Sequence, residues 1–257
     1  MGPNNVANNN SATWLAGHVG SRVRTELRDR LLVITLDNSP VNSLDSTTYQ
    51  ELFEVFSGLS SEHDLAAALL LADNRCFSAG QDRRDIPSSQ SDMVTYLHSA
   101  ANALVATTLC PIPLVVAVKS AAVGAGLILA SCADVLVLDT EATLSLPERN
   151  FGVVAGYAHL SKWISPGGAA VATLTGEPIN PRAFIHGGAI IVASAEVDVE
   201  AERLARSIAQ NDSALTRSIK SEWLESRRAV ARNYMAEIDN TITLGLVNFS
   251  LPMSPEK

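Results

Sequence analysis

Apolar residues fall along the chain in two alternating patterns. Short, nearly unbroken runs at 31–36, 65–71, 114–118 and 135–138 predict strands, and the β-branched apolar run at 114–118 suits a buried one. Between them the spacing becomes helical. Tyr49, Leu52, Phe53 and Phe56 share one face of a helix that Ser43 or Asp45 would cap, and Met93, Tyr96, Leu97, Ala100, Leu104 and Val105 form a second such series. Arg28-Asp29-Arg30 separates two strand-like runs at 23–27 and 31–36, which predicts a hairpin. The segment 144–146 should reach Pro147-Glu148 in extended form, since a residue before proline avoids the helical region. Helices are predicted at 158–163, at 168–174 and from Pro181, where Asn180 is the cap; an apolar run at 189–192 follows. From Asp198 onward the pattern is that of charged helices, at 198–210, 214–231 and more weakly 236–246, with Trp223, Leu224, Leu244 and Leu246 needing cover from the core or from another subunit.

With 47% apolar and 18% charged residues over 257 positions, the chain can bury one large core. The expected organisation is a tail over 1–20, a core over 21–197 and a helical cap or oligomerisation region over 198–257. A net charge of −8, with no basic run carrying interleaved aromatics, argues against a nucleic-acid surface. Cys76, Cys110 and Cys132 are odd in number and widely spaced in apolar surroundings. Buried free thiols are expected, in a cytoplasmic setting, rather than a disulfide framework or a metal site. The opening MGPNNVANNNSATW lacks a basic stretch followed by an apolar core, so a loose tail is expected and not a secretory signal. No stretch approaches the ~18 uninterrupted apolar residues of a membrane span, so a soluble protein is expected.

Candidate chemistry concentrates between Ala117 and Gly152. Gly124-Ala125-Gly126 follows a strand and opens an apolar helical segment, so backbone N–H groups there could face an oxygen that becomes negative during a reaction. Small residues at such a junction also serve close packing alone. A second small-residue turn, Phe77-Ser78-Ala79-Gly80-Gln81-Asp82, leads into a polar segment, and Glu148 is an isolated acidic residue near a strand or loop end. Gly124-x-Gly126 lacks the third glycine and the later acidic partner of a dinucleotide site.

Pro40-Val41-Asn42-Ser43-Leu44-Asp45, the turn at 77–82, the stretch from Ala117 to Gly126, Ala133-Asp134, and Leu146-Pro147-Glu148 through Gly152 come in an order and spacing that resembles the crotonase (enoyl-CoA hydratase/isomerase) superfamily. The resemblance spans about residues 23–220. It implies an α/β fold, a repeated ββα spiral with perpendicular sheets and a C-terminal helical region, assembled as a homotrimer or homohexamer. It also implies a coenzyme A thioester as substrate, with no permanently bound cofactor. By the same resemblance the amides of Gln81 and Ala125 would hold the thioester oxygen and Glu148 would be the catalytic carboxylate. Ala79 and Lys220 would contact coenzyme A, while Ile128, Tyr157 and His159 would line the acyl pocket.

Two positions depart from the family pattern. Alanine at 125 replaces the commoner glycine, and Ile128 stands where hydratases carry one of two catalytic glutamates. A single carboxylate suits moving a double bond, by removing and returning one proton, better than holding a water between acid and base. Hydration remains open, as do lyase, decarboxylase or hydrolase chemistry on a specialised acyl-CoA. So does a coenzyme A-binding subunit without turnover.

Overall fold

A computed structural model describes residues 20–59 and 64–248. The expected N-terminal tail, apart from its last residue, and the end of the expected C-terminal region lie outside the described residues. Strand β1 (Val23–Arg28) turns back at Asp29-Arg30 into β2 (Leu31–Leu36), antiparallel with Arg28 opposite Leu31, as the hairpin pattern predicts. Asp29 takes φ 57, a left-handed turn conformation that aspartate tolerates better than most residues. A two-residue strand β3 (Ser43–Leu44) precedes helix α1 (Ser46–Ser57), which Asp45 caps by accepting from the Thr48 amide at 2.7 Å. The same unit then repeats. Strands β4 (Ala67–Ala72) and β5 (Gly80–Gln81) lead to α2 (Gln90–Thr108), and β6 (Leu114–Val118) and β7 (Ala121–Val123) lead to α3 (Ala125–Ser131). Next come β8 (Val135–Asp139), β9 (Thr143–Ser145) and a 3-10 turn at Pro147–Phe151.

The long strand of each unit enters one sheet, of order β1-β2-β4-β6-β8, parallel after the first pair. The short strands pair as β3-β5 and β7-β9, and a bridge from Ser78 to Ala122 joins the two pairs. This is the repeated ββα architecture. Helices α4 (Tyr157–Leu160) and α5 (Pro166–Thr175) follow, then a 3-10 turn at Pro181–Gly187 capped by Asn180, and β10 (Ile190–Val192) adds to β8. The chain closes with α6 (Val197–Ala209), α7 (Ser213–Ser221) and α8 (Leu224–Leu244).

Strand alternation sends Leu32, Ile34, Leu70 and Val116 into the main core and Leu31, Val33, Leu69 and Val115 to the opposite face. That second face is covered by Val197, Ala201 and Ala205 of α6, a stripe at four-residue spacing. Helix α6 is therefore part of the core packing. Covering both faces explains why the strands read as unbroken apolar runs, with each fully buried Leu or Val contributing about 1.5–3 kcal/mol.

Three sequence expectations are corrected. Phe53 is exposed, while Tyr49, Leu52 and Phe56 are buried, so the inner face of α1 is narrower than its apolar content. The helix expected over 214–231 breaks at Glu222-Trp223, and α8 then runs unbroken through the segment expected to be a separate weak helix. Asp134 bridges the break. It is buried and receives Lys220 of α7, the Trp223 indole N–H at 3.0 Å and Arg227 of α8, and the bend at Trp223 lies between the two cations. The expectation for the cysteines holds: Cys76, Cys110 and Cys132 are buried free thiols.

Candidate active site

The junction between β7 and α3 is set by Gly124, whose φ of 54 and ψ of −126 lie outside the range of L side chains. A Cβ there would also fall 2.5 Å from Glu148 Oε1, so glycine is what lets the carboxylate approach this backbone. Ala125 is the first residue of α3, and its amide has no acceptor within the helix. Gly80, with φ 86, runs beside the same junction: a Cβ on it would lie 2.5 Å from the Val123 carbonyl oxygen and 3.6 Å from the Ala125 nitrogen. Two residues on, the Asp82 amide donates to the Leu44 carbonyl at 2.9 Å. Because successive amides of a strand face opposite ways, the Gln81 amide turns away from β3. The Gln81 side chain is held by two phenols, donating to the Tyr96 hydroxyl and accepting from Tyr49 at 3.4 Å.

Asp82 is occupied structurally. It accepts from the Arg84 guanidinium at 2.7 and 3.0 Å, the Arg84 amide at 2.9 Å and the Ser43 hydroxyl at 2.9 Å. Arg84 foremost holds its carboxyl well below the usual range, and the turn after Gln81 is braced as a result.

Glu148 enters from the 3-10 turn that Pro147 starts and Gly152 ends with φ 73. It reaches a cavity of about 200 Å³ walled by Ile128 and Val153 and, from α8, by Tyr234 and Ile238. Burial raises its carboxyl from 4.5 to about 8, and Oε2 is buried with no hydrogen-bond partner among the described residues. Among the described residues, Glu148 is the one acidic residue in that wall. Ile128 is 2% exposed and fills the wall one helical turn beyond Ala125, where an acidic group would have given a second carboxylate. Gln81, Ala125, Ile128, Glu148 and the exposed Ala79 thus converge on one cavity.

Three sequence-predicted residues do not join them. Tyr157 begins α4 and is 41% exposed, away from the cavity. His159 is buried behind the wall; its Nε2 lies 2.9 Å from the Thr108 hydroxyl, and its ring meets the edge of Tyr234 at 4.8 Å. Burial above all, then the charges of Arg227 and Lys162, lowers it to about 3, so it is a neutral packing residue. Lys220 is 2% exposed and bound to Asp134 and the Ile112 carbonyl, closed off from any cofactor nucleotide. In the other direction, the sequence pattern places Tyr49 only on a packing face, and the spacing around Tyr234 is not diagnostic of a site role. The signal available was the four-residue spacing of Tyr234 and Ile238, which marks a buried helix face without saying what it covers.

Residues 26–243 match the family model described as enoyl-CoA hydratase/isomerase. Over 222 residues the chain is 27% identical to the (7aS)-7a-methyl-1,5-dioxo-2,3,5,6,7,7a-hexahydro-1H-indene-carboxyl-CoA hydrolase of Mycobacterium tuberculosis, covering 84% of this chain and 90% of that one. It is 27% identical over 186 residues to a probable enoyl-CoA hydratase of Bacillus subtilis, with 69% and 72% covered. The fold superposes on an enoyl-CoA hydratase/isomerase from Xanthobacter autotrophicus Py2 with a TM-score of 0.80 at 20% identity, covering 90% of each chain. A second enzyme of that description, from Mycobacterium paratuberculosis, gives 0.79 at 23% identity over 91% of this chain and 96% of the other.

Proposed function

This chain belongs to the enoyl-CoA hydratase/isomerase family of the crotonase superfamily, and from that premise we propose that it processes an acyl-CoA thioester with Glu148 as its single proton carrier, the favoured reaction being double-bond isomerisation. The observation that carries the reading is a lone carboxyl, raised by burial to about 8, in a mostly apolar wall beside two junction backbones. In the reaction, the thioester oxygen lies against the amides of Gln81 and Ala125. Ionised Glu148 takes a proton from C2 of a 3-enoyl group, and the C–H electrons move toward that oxygen to form a dienolate. The same carboxyl then returns the proton at C4 as the 2,3 double bond forms. Fixed amides favour the dienolate more than the ground state, which is how they accelerate the step. A pKa near neutrality suits a group that must both accept and release a proton. Ile128 supports isomerisation over hydration, because no second carboxylate is present to hold a water.

The test follows 3-enoyl-CoA and 2-enoyl-CoA in separate incubations with the parent and with Glu148→Gln. Double-bond migration in the parent and a fall of ~10² or more in the variant are expected, with substrate affinity kept within a few-fold. Efficient hydration by the parent that survives Glu148→Gln would show both the reaction and the base to be wrong. A second reading, hydrolysis of a carboxyl-CoA ring substrate, is favoured by the 84% coverage of this chain by the hydrolase of Mycobacterium tuberculosis. Incubation with a cyclic dioxo-carboxyl-CoA separates it, since hydrolysis adds one water and isomerisation adds none.

A further inference from the structure

Away from the acyl cavity, a second cleft of about 530 Å³ opens where α4 meets the start of α8. Its walls include Lys162, Arg227, Ser161 and Ser226, and none of its lining residues also lines the acyl cavity. The charges around it do not balance. Among the described residues Asp134 is the one carboxylate lining the cleft, and its two oxygens are already taken: Oδ1 by the Trp223 indole and Arg227, Oδ2 by Lys220 and the Leu114 amide at 2.9 Å. Lys162 adds a third cation without adding an anion. Its amine and Arg227 Nη2 instead donate to the same neutral acceptor, the Ala133 carbonyl.

Arg227 is 2% exposed, and its Nε and Nη1 have no hydrogen-bond partner among the described residues. Orphaned donors on a buried guanidinium are uncommon because arginine presents a planar fork suited to two oxygens at once. The nearby His159 supplies no negative charge. The Thr108 hydroxyl gives its proton to the Leu104 carbonyl at 2.8 Å, so it accepts from His159 Nε2–H, leaving Nδ1 as a neutral buried acceptor. Burial first, and then repulsion from Arg227, lowers the Lys162 amine to about 6 against the opposing pull of Asp134, and the amine otherwise lies 4.3 Å from the Trp163 ring centroid.

We propose that this cleft binds a small free oxyanion, of phosphate or carboxylate size, between Lys162 and the unpaired edge of Arg227. Such an anion would supply the missing charge, satisfy the guanidinium donors and hold Lys162 as an ammonium. The site would tie α4 to α8, and α8 carries Tyr234 into the acyl cavity.

Two measurements on the full chain test this, with inorganic phosphate and then acetate as probes. Titration calorimetry should show saturable binding, and competitive acetylation of Lys162 by acetic anhydride, read by mass spectrometry at neutral pH, should fall as the anion re-protonates the amine. Lys162→Met keeps Asp134 paired with Lys220 and Arg227, so it should fold as the parent does; it should bind phosphate at least about tenfold more weakly, and Lys162→Arg should restore binding. Unchanged labelling across the titration, or equal affinity of the parent and Lys162→Met, overturns the proposal. If labelling in phosphate-free buffer falls as protein concentration rises, a carboxylate from a second copy occupies the cleft and the free-anion site is refuted.

Discussion

A carboxyl held near 8 inside a fold, but ionising near 4.5 when the chain unfolds, makes folding weaken as pH rises. Below 4.5 both states of Glu148 are protonated and no penalty exists. Between 4.5 and about 8 the unfolded chain releases the proton and the folded chain keeps it, so stability falls by up to about 1.4 kcal/mol per pH unit. Above about 8 both states are ionised and the full loss remains. Glu148→Gln removes this dependence. Its melting temperature should match the parent's below 4.5 and exceed it progressively up to about 8, while the parent's kcat/KM for proton abstraction should rise over the same window. A parent and variant whose melting temperatures move in parallel through that window would mean that the carboxyl is not held neutral. The sequence marks Glu148 as isolated and Ile128 as the departure beside it, and both lie in the cavity wall. It could not reveal that His159 and Lys220 are sealed, because their partners Thr108 and Asp134 lie 51 and 86 residues away.

At the scale of elements, the β7–α3 junction lets backbone and side chain be tested separately. Proline is compatible with the first position of a helix, where the N–H has no helical acceptor, so Ala125→Pro should leave α3 standing and remove one donor from the cavity. Turnover should then fall by 10²-fold or more, the range for losing one donor to a developing oxyanion. Normal circular dichroism with undiminished turnover would place the oxyanion elsewhere. The long strands were legible because each is an apolar run buried on both faces. By contrast β3 and β5 have two residues each and β7 has three, too short for any periodicity, though they set the backbone around Gln81 and Ala125. The break at Trp223 is hidden for a different reason: both flanking segments have helical spacing, and the buried Asp134 that binds Lys220, Trp223 and Arg227 across it lies far off in the chain.

Across the whole molecule, apolar surface is spent unevenly. The outer face of the sheet is closed by α6, and α8 lies over α2 and the acyl cavity, so the C-terminal helices cover their own core. Large apolar side chains nevertheless remain exposed: Val171 and Leu174 on α5, Ile185 on the neighbouring 3-10 turn, Leu215 and Ile219 on α7, and Leu244 and Leu246 at the end of α8. Single exposed leucines need no explanation, but apolar pairs on adjacent turns of α5 and α7 are costly to leave in water and are what a subunit contact buries. We therefore expect self-association, as the homotrimer or homohexamer that the family resemblance implies. Light scattering at micromolar concentration should give about three times 27.3 kDa, or a multiple of it. Leu174→Glu with Ile219→Glu should shift the distribution toward monomer while leaving the circular dichroism of the parent, since both side chains are at least half exposed. A parent that stays monodisperse at 27.3 kDa across that range would leave these faces unpartnered and refute the assembly.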